Sequence, residues 1–444
     1  MNKIITLTLL LILILPSINL MTTAKQNETY DYVIITTNKI ESDSHKLDDF
    51  IQHKEKLGFE VLVITEDDFE HLEGPYPNKR ADKIRQWLVD NYYEMDIEYV
   101  LLIGDPTPDG ISQYSIPMKM FSDRFLGGIL NFMTERDSPS DYYYADLDSN
   151  WNRIAKGYCG DYLDYKEGDI NADPEVFVGR IPVYNGNMGE LDHILQKTID
   201  YENEEDTSWR KNALFAASFS IIPFDNAQVC EQIIDDLFPS DFSYWRLYQQ
   251  GSFLSELDSI FESEEELRDG RLTRRWQNDT YGIVTLMGHG TSRWIGIGIN
   301  LARAAYVSDG YIITSKQTES LSNDYPSFVF LNSCNNGLPE QQENLGYSLL
   351  KNGGIAVLCA TRTIYYMRQY NYGDFDESFE SSGLFYRIIH KTIQNNPIGR
   401  ALYVGSAEIN DMMFLDDSDG HYTYFKNLLR LNLYGDPSLH LFPE

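Results

Sequence analysis

Short unbroken apolar runs punctuate this chain, and between them apolar residues recur every third or fourth position. Tyr32-Val33-Ile34-Ile35, Val61-Leu62-Val63-Ile64 and Tyr99 to Ile103 read as buried strands, while His45 to Leu57 and Ala81 to Tyr93 carry the spacing of amphipathic helices. That succession is βαβαβ, a doubly wound unit. From Pro106 to Asp173 the periodicity breaks up into Asp, Tyr, Gly and Asn, a stretch too long for an idle loop. The alternation restarts after the polar stretch Tyr201 to Ser208. Strand Ala213 to Ser218, helix Asn226 to Leu237, strand Ser243 to Leu247 and helix Leu254 to Arg268 come first. Strands Gly282 to Met287 and Ser327 to Leu331, helix Asn344 to Lys351 and strand Gly354 to Ala360 follow, and helical spacing closes the chain from Ser378 to Leu431. The pattern predicts an α/β fold of two tandem doubly wound sub-domains with mostly parallel sheets. The first, 25–207, carries the acidic insertion; the second is 208–444.

Two predicted strands end abruptly in reactive side chains. Gly282 to Met287 leads into Gly288-His289-Gly290, and Ser327 to Leu331 leads into Asn332-Ser333-Cys334-Asn335-Asn336-Gly337. If the two are parallel neighbours, their carboxyl ends share the edge where α/β sheets place their sites. A strand-end histidine is most often a polar cap, and a free cysteine most often a small core hydrophobe. Together at two strand ends they make a Cys/His hydrolase pair, with His289 as base and Cys334 as nucleophile. Glycine beside the histidine lets a substrate carbonyl approach the backbone, so the Gly290 N–H, with that of Cys334, is the expected oxyanion donor.

The broken segment holds Asp146, Asp148, Asn150 and Asn152 at alternate positions, with Asp161, Asp164 and Asp169 beyond. Oxygen ligands in that density suit Ca²⁺, although the EF-hand glycine and closing glutamate are missing. A solvated acidic loop is the competing reading.

Buried strand, His-Gly, second buried strand and Cys together resemble the caspase-type cysteine peptidases. The Gln-Ala-Cys signature of caspases themselves is absent. Gly288-His289-Gly290, Cys334-Asn335-Asn336-Gly337 and Val176-Phe177-Val178-Gly179-Arg180-Ile181-Pro182 instead resemble the gingipain family. So do Leu101 to Asp105, Ser140-Asp141-Tyr142-Tyr143 and the closing Leu433 to Leu439, in an order that spans nearly the whole chain. The resemblance implies a cysteine endopeptidase acting on protein or peptide substrates with a structural Ca²⁺ and no catalytic cofactor. It implies cleavage after Arg or Lys, with Tyr365 or Tyr366 as an aromatic pocket wall and Asp169 or Asp173 as the pocket carboxylate. An acid orienting His289 would come from Asp141, Asp161 or Glu175. The adhesin modules that gingipains carry have no counterpart after Leu441, so a bare catalytic unit is expected. A non-catalytic, Ca²⁺-dependent binding module on the same fold is the rival reading, and intact Cys334 and His289 argue against it.

Charge and the amino terminus narrow the setting. With 36 Lys and Arg against 68 Asp and Glu, the formal charge is −32, which repels nucleic acid and anionic membrane. Residues Met1 to Ala24 read as a secretory signal peptide, cleaved after Ala24, with an uncleaved anchor as the alternative. The expected protein is secreted or displayed at the cell surface. Four cysteines form neither a metal spacing nor a disulfide scaffold, and Cys359 inside its strand reads as core.

Overall fold

The computed structural model describes residues 29–443 apart from 74–78, 109, 123–136, 152–158, 161, 163–164, 166–167, 172, 222–223, 251–257, 302–304, 366–374, 379 and 414–419. The expected signal segment lies outside these residues. Eleven of the described strands share one sheet. In chain order they are β1 (Tyr32–Ile35), β2 (Val61–Ile64), β3 (Tyr99–Gly104), β4 (Phe177–Pro182), β5 (Asn212–Ala217) and β6 (Ser243–Tyr248). Then come β7 (Glu265–Glu266), β8 (Ile283–Met287), β9 (Ser327–Asn332), β10 (Gly354–Ala360) and β11 (Leu431–Tyr434). Their order across the sheet is β7-β6-β5-β8-β9-β10-β11-β4-β3-β1-β2.

Every neighbouring pair is parallel except β10 with β11, where Val357 faces Tyr434 and Ala360 faces Leu431 in antiparallel register. Tyr434 also faces Arg180 of β4 in parallel register. The strands of the first half therefore run opposite to those of the second. The amino end of β4 emerges on the same sheet edge as the carboxyl ends of β8, β9 and β10.

Both faces of the sheet are covered, which is why the central strands read as continuous apolar runs. Every residue of β8, β9 and β10 is buried, whereas edge strand β2 buries only Ile64. Side chains alternate between faces. Val33, Val100, Ile283, Met287, Phe328 and Phe330 enter one core; Ile34, Leu101, Val284, Leu286, Val329 and Leu331 enter the other. Each core continues across residue 207, drawing on strands from both halves.

One expected helix is corrected, and the end of the closing helices moves by one residue. Within Leu254 to Arg268, Glu265–Glu266 forms edge strand β7 beside Leu247 and Tyr248, and the helix is Arg271–Asn278, started by Gly270 at φ 74°. Pairing with an open sheet edge overrides the helix propensity of a Glu-rich run. The closing helical stretch is Ser381–Ile393, Ile398–Met413 and Gly420–Arg430, and its last residues switch to β11. Helix Met188–Glu202, capped by the Asn187 side chain on the Glu190 N–H, and the antiparallel strands His289–Thr291, Trp294–Leu301 and Ala305–Thr314 were not foreseen. No helix among the described residues is long and apolar enough to cross a membrane.

Candidate active site

β8 and β9 are parallel neighbours in a register that sets Met287 opposite Asn332. His289 lies two residues past Met287 and Cys334 two residues past Asn332, so both leave the sheet at the same level of the same edge. They also share a face. Ile283 and Met287 enter the first core, so His289 follows them by alternation, and the Cys334 side chain packs against that core directly.

The two turns touch through Gly290. A Cβ at that position would lie 2.1 Å from Ser333 Oγ and 2.6 Å from the Cys334 carbonyl oxygen, so only glycine fits. Asn336, fully buried, then stitches the pair: its Nδ2 donates to the Thr291 carbonyl at 2.7 Å and to that of Trp294 at 3.5 Å. The Leu345 N–H donates to the Ser292 carbonyl at 2.7 Å. Asn335 adopts φ 62°, the left-handed region that Asn tolerates, and so turns the chain sharply after Cys334. The turn is pinned to the end of β10 by Asn335 N–H on the Arg362 carbonyl and Gly337 N–H on that of Ala360. Cys334 Sγ lies 3.8 Å from the Ile364 carbonyl.

The histidine is oriented by a main-chain group. Its Nε2 hydrogen-bonds to the Ser220 carbonyl, in the short strand Phe219–Ile221 of the loop that leaves β5 beside β8. A carbonyl only accepts, so Nε2 carries the proton and Nδ1 is left as the basic nitrogen. The loop is held in turn by Asn226, whose Nδ2 reaches the Ser218 carbonyl at 2.7 Å and Ser220 Oγ at 2.8 Å. Burial pushes the imidazole below its usual range, against a smaller opposing effect of the Ser220 bond. The ring is therefore neutral at neutral pH.

The acids considered for orienting His289 are engaged elsewhere or undescribed. Asp141, buried, takes both guanidinium arms of Arg180, at 2.7 and 2.6 Å. Glu175 accepts the Leu147 N–H at 2.5 Å, and Asp161 lies outside the described residues. A carbonyl partner leaves no trace in sequence, so pattern reading had no means of finding Ser220.

The expected pocket wall borders the acidic segment. Thr361 Oγ1, buried, donates to the Pro139 carbonyl at 2.7 Å. Tyr365 is clamped at its backbone by Asn427, N–H to Oδ1 and Nδ2 to the carbonyl, both 2.7 Å, and the buried Arg430 guanidinium lies 5.2 Å from its ring centre. Tyr366 lies outside the described residues. Asp173 is exposed, its N–H on the Asn171 side chain, and Asp169 accepts the Asn150 N–H at its carbonyl. Both precede β4 and so belong to the segment entering that strand at the catalytic edge.

Asp146, Asp148 and Glu175 converge: one oxygen from each lies within 4.8 Å of the others. Asp146 is fully buried, its Oδ1 accepts the Ser149 N–H, and its Oδ2 has no hydrogen-bond partner among the described residues. Burial raises its pKa to about 7. Three hard oxygen donors with one buried and unsatisfied fit a divalent cation such as Ca²⁺. Glu175 joins this group; of Asn150, only the backbone bond to Asp169 is described. The remaining cysteines are buried, and Cys359 Sγ sits where side chains on Gly337 and Gly346 would fall, as a core residue does.

Comparison with known proteins agrees with this geometry. The profile of peptidase family C25 matches residues 25–442. The crystal structure of the Arg-specific cysteine proteinase gingipain R superposes with a TM-score of 0.60 at 19% identity, covering 94% of this chain and 78% of the other. The complex of Porphyromonas gingivalis RgpB pro- and mature domains gives 0.58 at 18%, covering 92% and 79%, and a structure described only as a protease gives 0.58 at 13%, covering 92% and 78%. No curated protein sequence matches. The chain belongs to peptidase family C25, the gingipain family, and is a cysteine-type peptidase on the caspase-like α/β fold.

Proposed function

We propose that the peptidase works through Cys334 and His289, with the Gly290 and Cys334 N–H groups as the oxyanion site. The observation that carries the reading is the close fit of the two turns at Gly290, on one face and at one level of the sheet. The Cys334 thiol gives its proton to His289 Nδ1 and the thiolate attacks the scissile carbonyl. The oxyanion draws on the two N–H groups, and the imidazolium returns the proton to the leaving amine. Water, activated by the same nitrogen, then hydrolyses the thioester and regenerates the thiol. A thiol-directed peptide electrophile tests the assignment: the wild type should be labelled, and Cys334→Ala should not. Labelling that persists in Cys334→Ala would remove Cys334 from the role.

The substrates in this reading are polypeptides cut after Arg or Lys. Support comes from the acidic segment reaching the catalytic edge and touching the wall at Thr361, and from the gingipain R likeness. A peptide library cut after Asp, Asn or apolar residues would overturn it. Asp146, Asp148 and Glu175 would hold Ca²⁺, whose charge offsets three crowded carboxylates and orders the segment before β4. Removal of residues 1–24 on export is the accompanying proposal, checked by amino-terminal sequencing of the extracellular protein.

A further inference from the structure

The peptide unit between Ile364 and Tyr365 faces the nucleophile with one end and is gripped at the other. Its carbonyl oxygen lies 3.8 Å from Cys334 Sγ, within reach of an S–H donor. Its N–H donates to Asn427 Oδ1 at 2.7 Å, and the next carbonyl, that of Tyr365, accepts from Asn427 Nδ2 at 2.7 Å. One side chain therefore holds both the N–H and the C=O of a single residue, as the opposite residue does in a hydrogen-bonded pair of an antiparallel ladder.

Asn427 stands in helix Gly420–Arg430 and is fully buried, between Phe425, Leu428 and Leu429, which are buried as well. A carboxamide is costly to place there unless its hydrogen bonds are made. The segment has other anchors: the Thr361 N–H donates to the Arg430 carbonyl at 2.9 Å, Thr361 Oγ1 donates to the Pro139 carbonyl, and Arg430 Nη1 donates to that of Thr363. These three stop at Thr363, one residue short of the oxygen that reaches the sulfur.

We infer that Asn427 is a positioning residue for the peptidase, setting through the Ile364 carbonyl where the Cys334 sulfur stands before attack. The inference rests on Cys334 as the nucleophile. A carbonyl accepts and does not donate, so its bond to the sulfur exists while the sulfur keeps its hydrogen. The resting thiol is thereby held in one direction, and His289 draws the proton from a sulfur already aimed at the scissile bond. Without Asn427 the peptide unit is free to turn and the carbonyl leaves the thiol. Two rates then move in opposite directions: the sulfur gives up its hydrogen more readily and meets a small electrophile faster, while attack on a bound peptide loses its aim.

The test compares the full chain with Asn427→Leu, which keeps the volume and drops both hydrogen bonds, and with Asn427→Asp, which keeps the acceptor for the Tyr365 N–H. Peptide hydrolysis gives kcat and KM, and iodoacetamide followed by mass analysis gives the alkylation rate at Cys334. Cys159, Cys230 and Cys359 are buried and stay unlabelled while the fold is intact, which separates a turned peptide from an opened structure. Asn427→Leu should lower kcat about tenfold with KM within about twofold, and should speed alkylation of Cys334 about threefold. Asn427→Asp should recover most of the lost kcat. A rise in KM with kcat unchanged would make Asn427 a support of the pocket wall alone and overturn the inference, as would Asn427→Asp no better than Asn427→Leu. Hydrolysis that survives complete alkylation of Cys334 in the unaltered chain would instead remove Cys334 itself from the reaction.

Discussion

At Gly290 two backbone turns come closer than a methyl group permits, and the spacing of the proposed dyad hangs on that contact. Gly290→Ala must push Ser333 and Cys334 aside, and a displacement near 1 Å at reacting groups costs about 10²-fold in rate. The expected result is a kcat about 100-fold lower with KM changed far less; a kcat within threefold of wild type would show that the turns adjust freely. His289 makes a second prediction. Its pKa lies below the usual 6.5 because of burial, and its Nε2 is bonded to the Ser220 carbonyl. The acid limb of kcat/KM should fall below pH 6.5, and a limb above that value would contradict the assignment of His289 as base.

Asp146 acts on stability with the opposite sign to a paired carboxylate. Its folded pKa, about 7, stands above the ordinary 3.8 because burial and the nearby Glu175 outweigh Ser149 and Arg85. Between those values the folded state keeps a proton that the unfolded state has lost, so stability drains away as pH rises from about 3.8 to 7. A cation bound by Asp146, Asp148 and Glu175 removes that penalty. The rise in Tm on adding Ca²⁺ should therefore be larger at pH 8 than at pH 5, and an equal or absent rise would show that these carboxylates hold no cation.

Among the elements, the pair of β4 and the acidic segment is the most exposed to damage. Arg180→Ala would strand the Asp141 carboxylate, which is 2% exposed and, among the described residues, takes its side-chain hydrogen bonds from Arg180. Breaking a buried pair from one side costs about 3–5 kcal/mol, which denaturant titration would show without any residue of the dyad being touched. The apolar runs that become β1, β3, β8, β9 and β10 were plain in sequence because strands buried on two faces have little polar character to disguise them. His289 and Cys334 were plain because each interrupts such a run. β11 was hidden: Tyr424, Phe425, Leu428, Leu429 and Leu431 keep a helical spacing into the strand, and nothing local marks the change at Arg430. β7 was hidden in the same way, since Glu265 and Glu266 owe their conformation to the neighbouring edge of β6. Asn336 stood in the open inside Cys334-Asn335-Asn336-Gly337, but its work is to reach Thr291 across a contact that only folding creates.

For the molecule as a whole, one sheet and two cores cross from one half to the other. Calorimetry should accordingly give a single transition for both halves. Residues 25–207 expressed alone should fail to fold stably, because β4 would lose β11 and present a bare central edge. Two well-separated transitions, or a folded fragment, would show the halves to be independent.

The place of β11 bears on the life of the chain before it is finished. A ribosome delivers residues in order, and the strand that lies beside β4 and β10 emerges about 250 residues after β4, a delay of about 12–50 s at 5–20 residues per second. During that interval the sheet lacks the strand that joins β4 to β10, and the wall at Thr361 lacks the Arg430 carbonyl on its N–H, although the bonds of Thr361 to Pro139 and of Lys197 to Leu350 and Gly354 do not need β11. The expectation is that the chain cuts nothing until β11 is in place. Nascent chains stalled before Leu431 should be cut readily by an added protease and should ignore a thiol-directed peptide electrophile, whereas chains stalled with Leu439 clear of the exit tunnel should resist the first and react with the second.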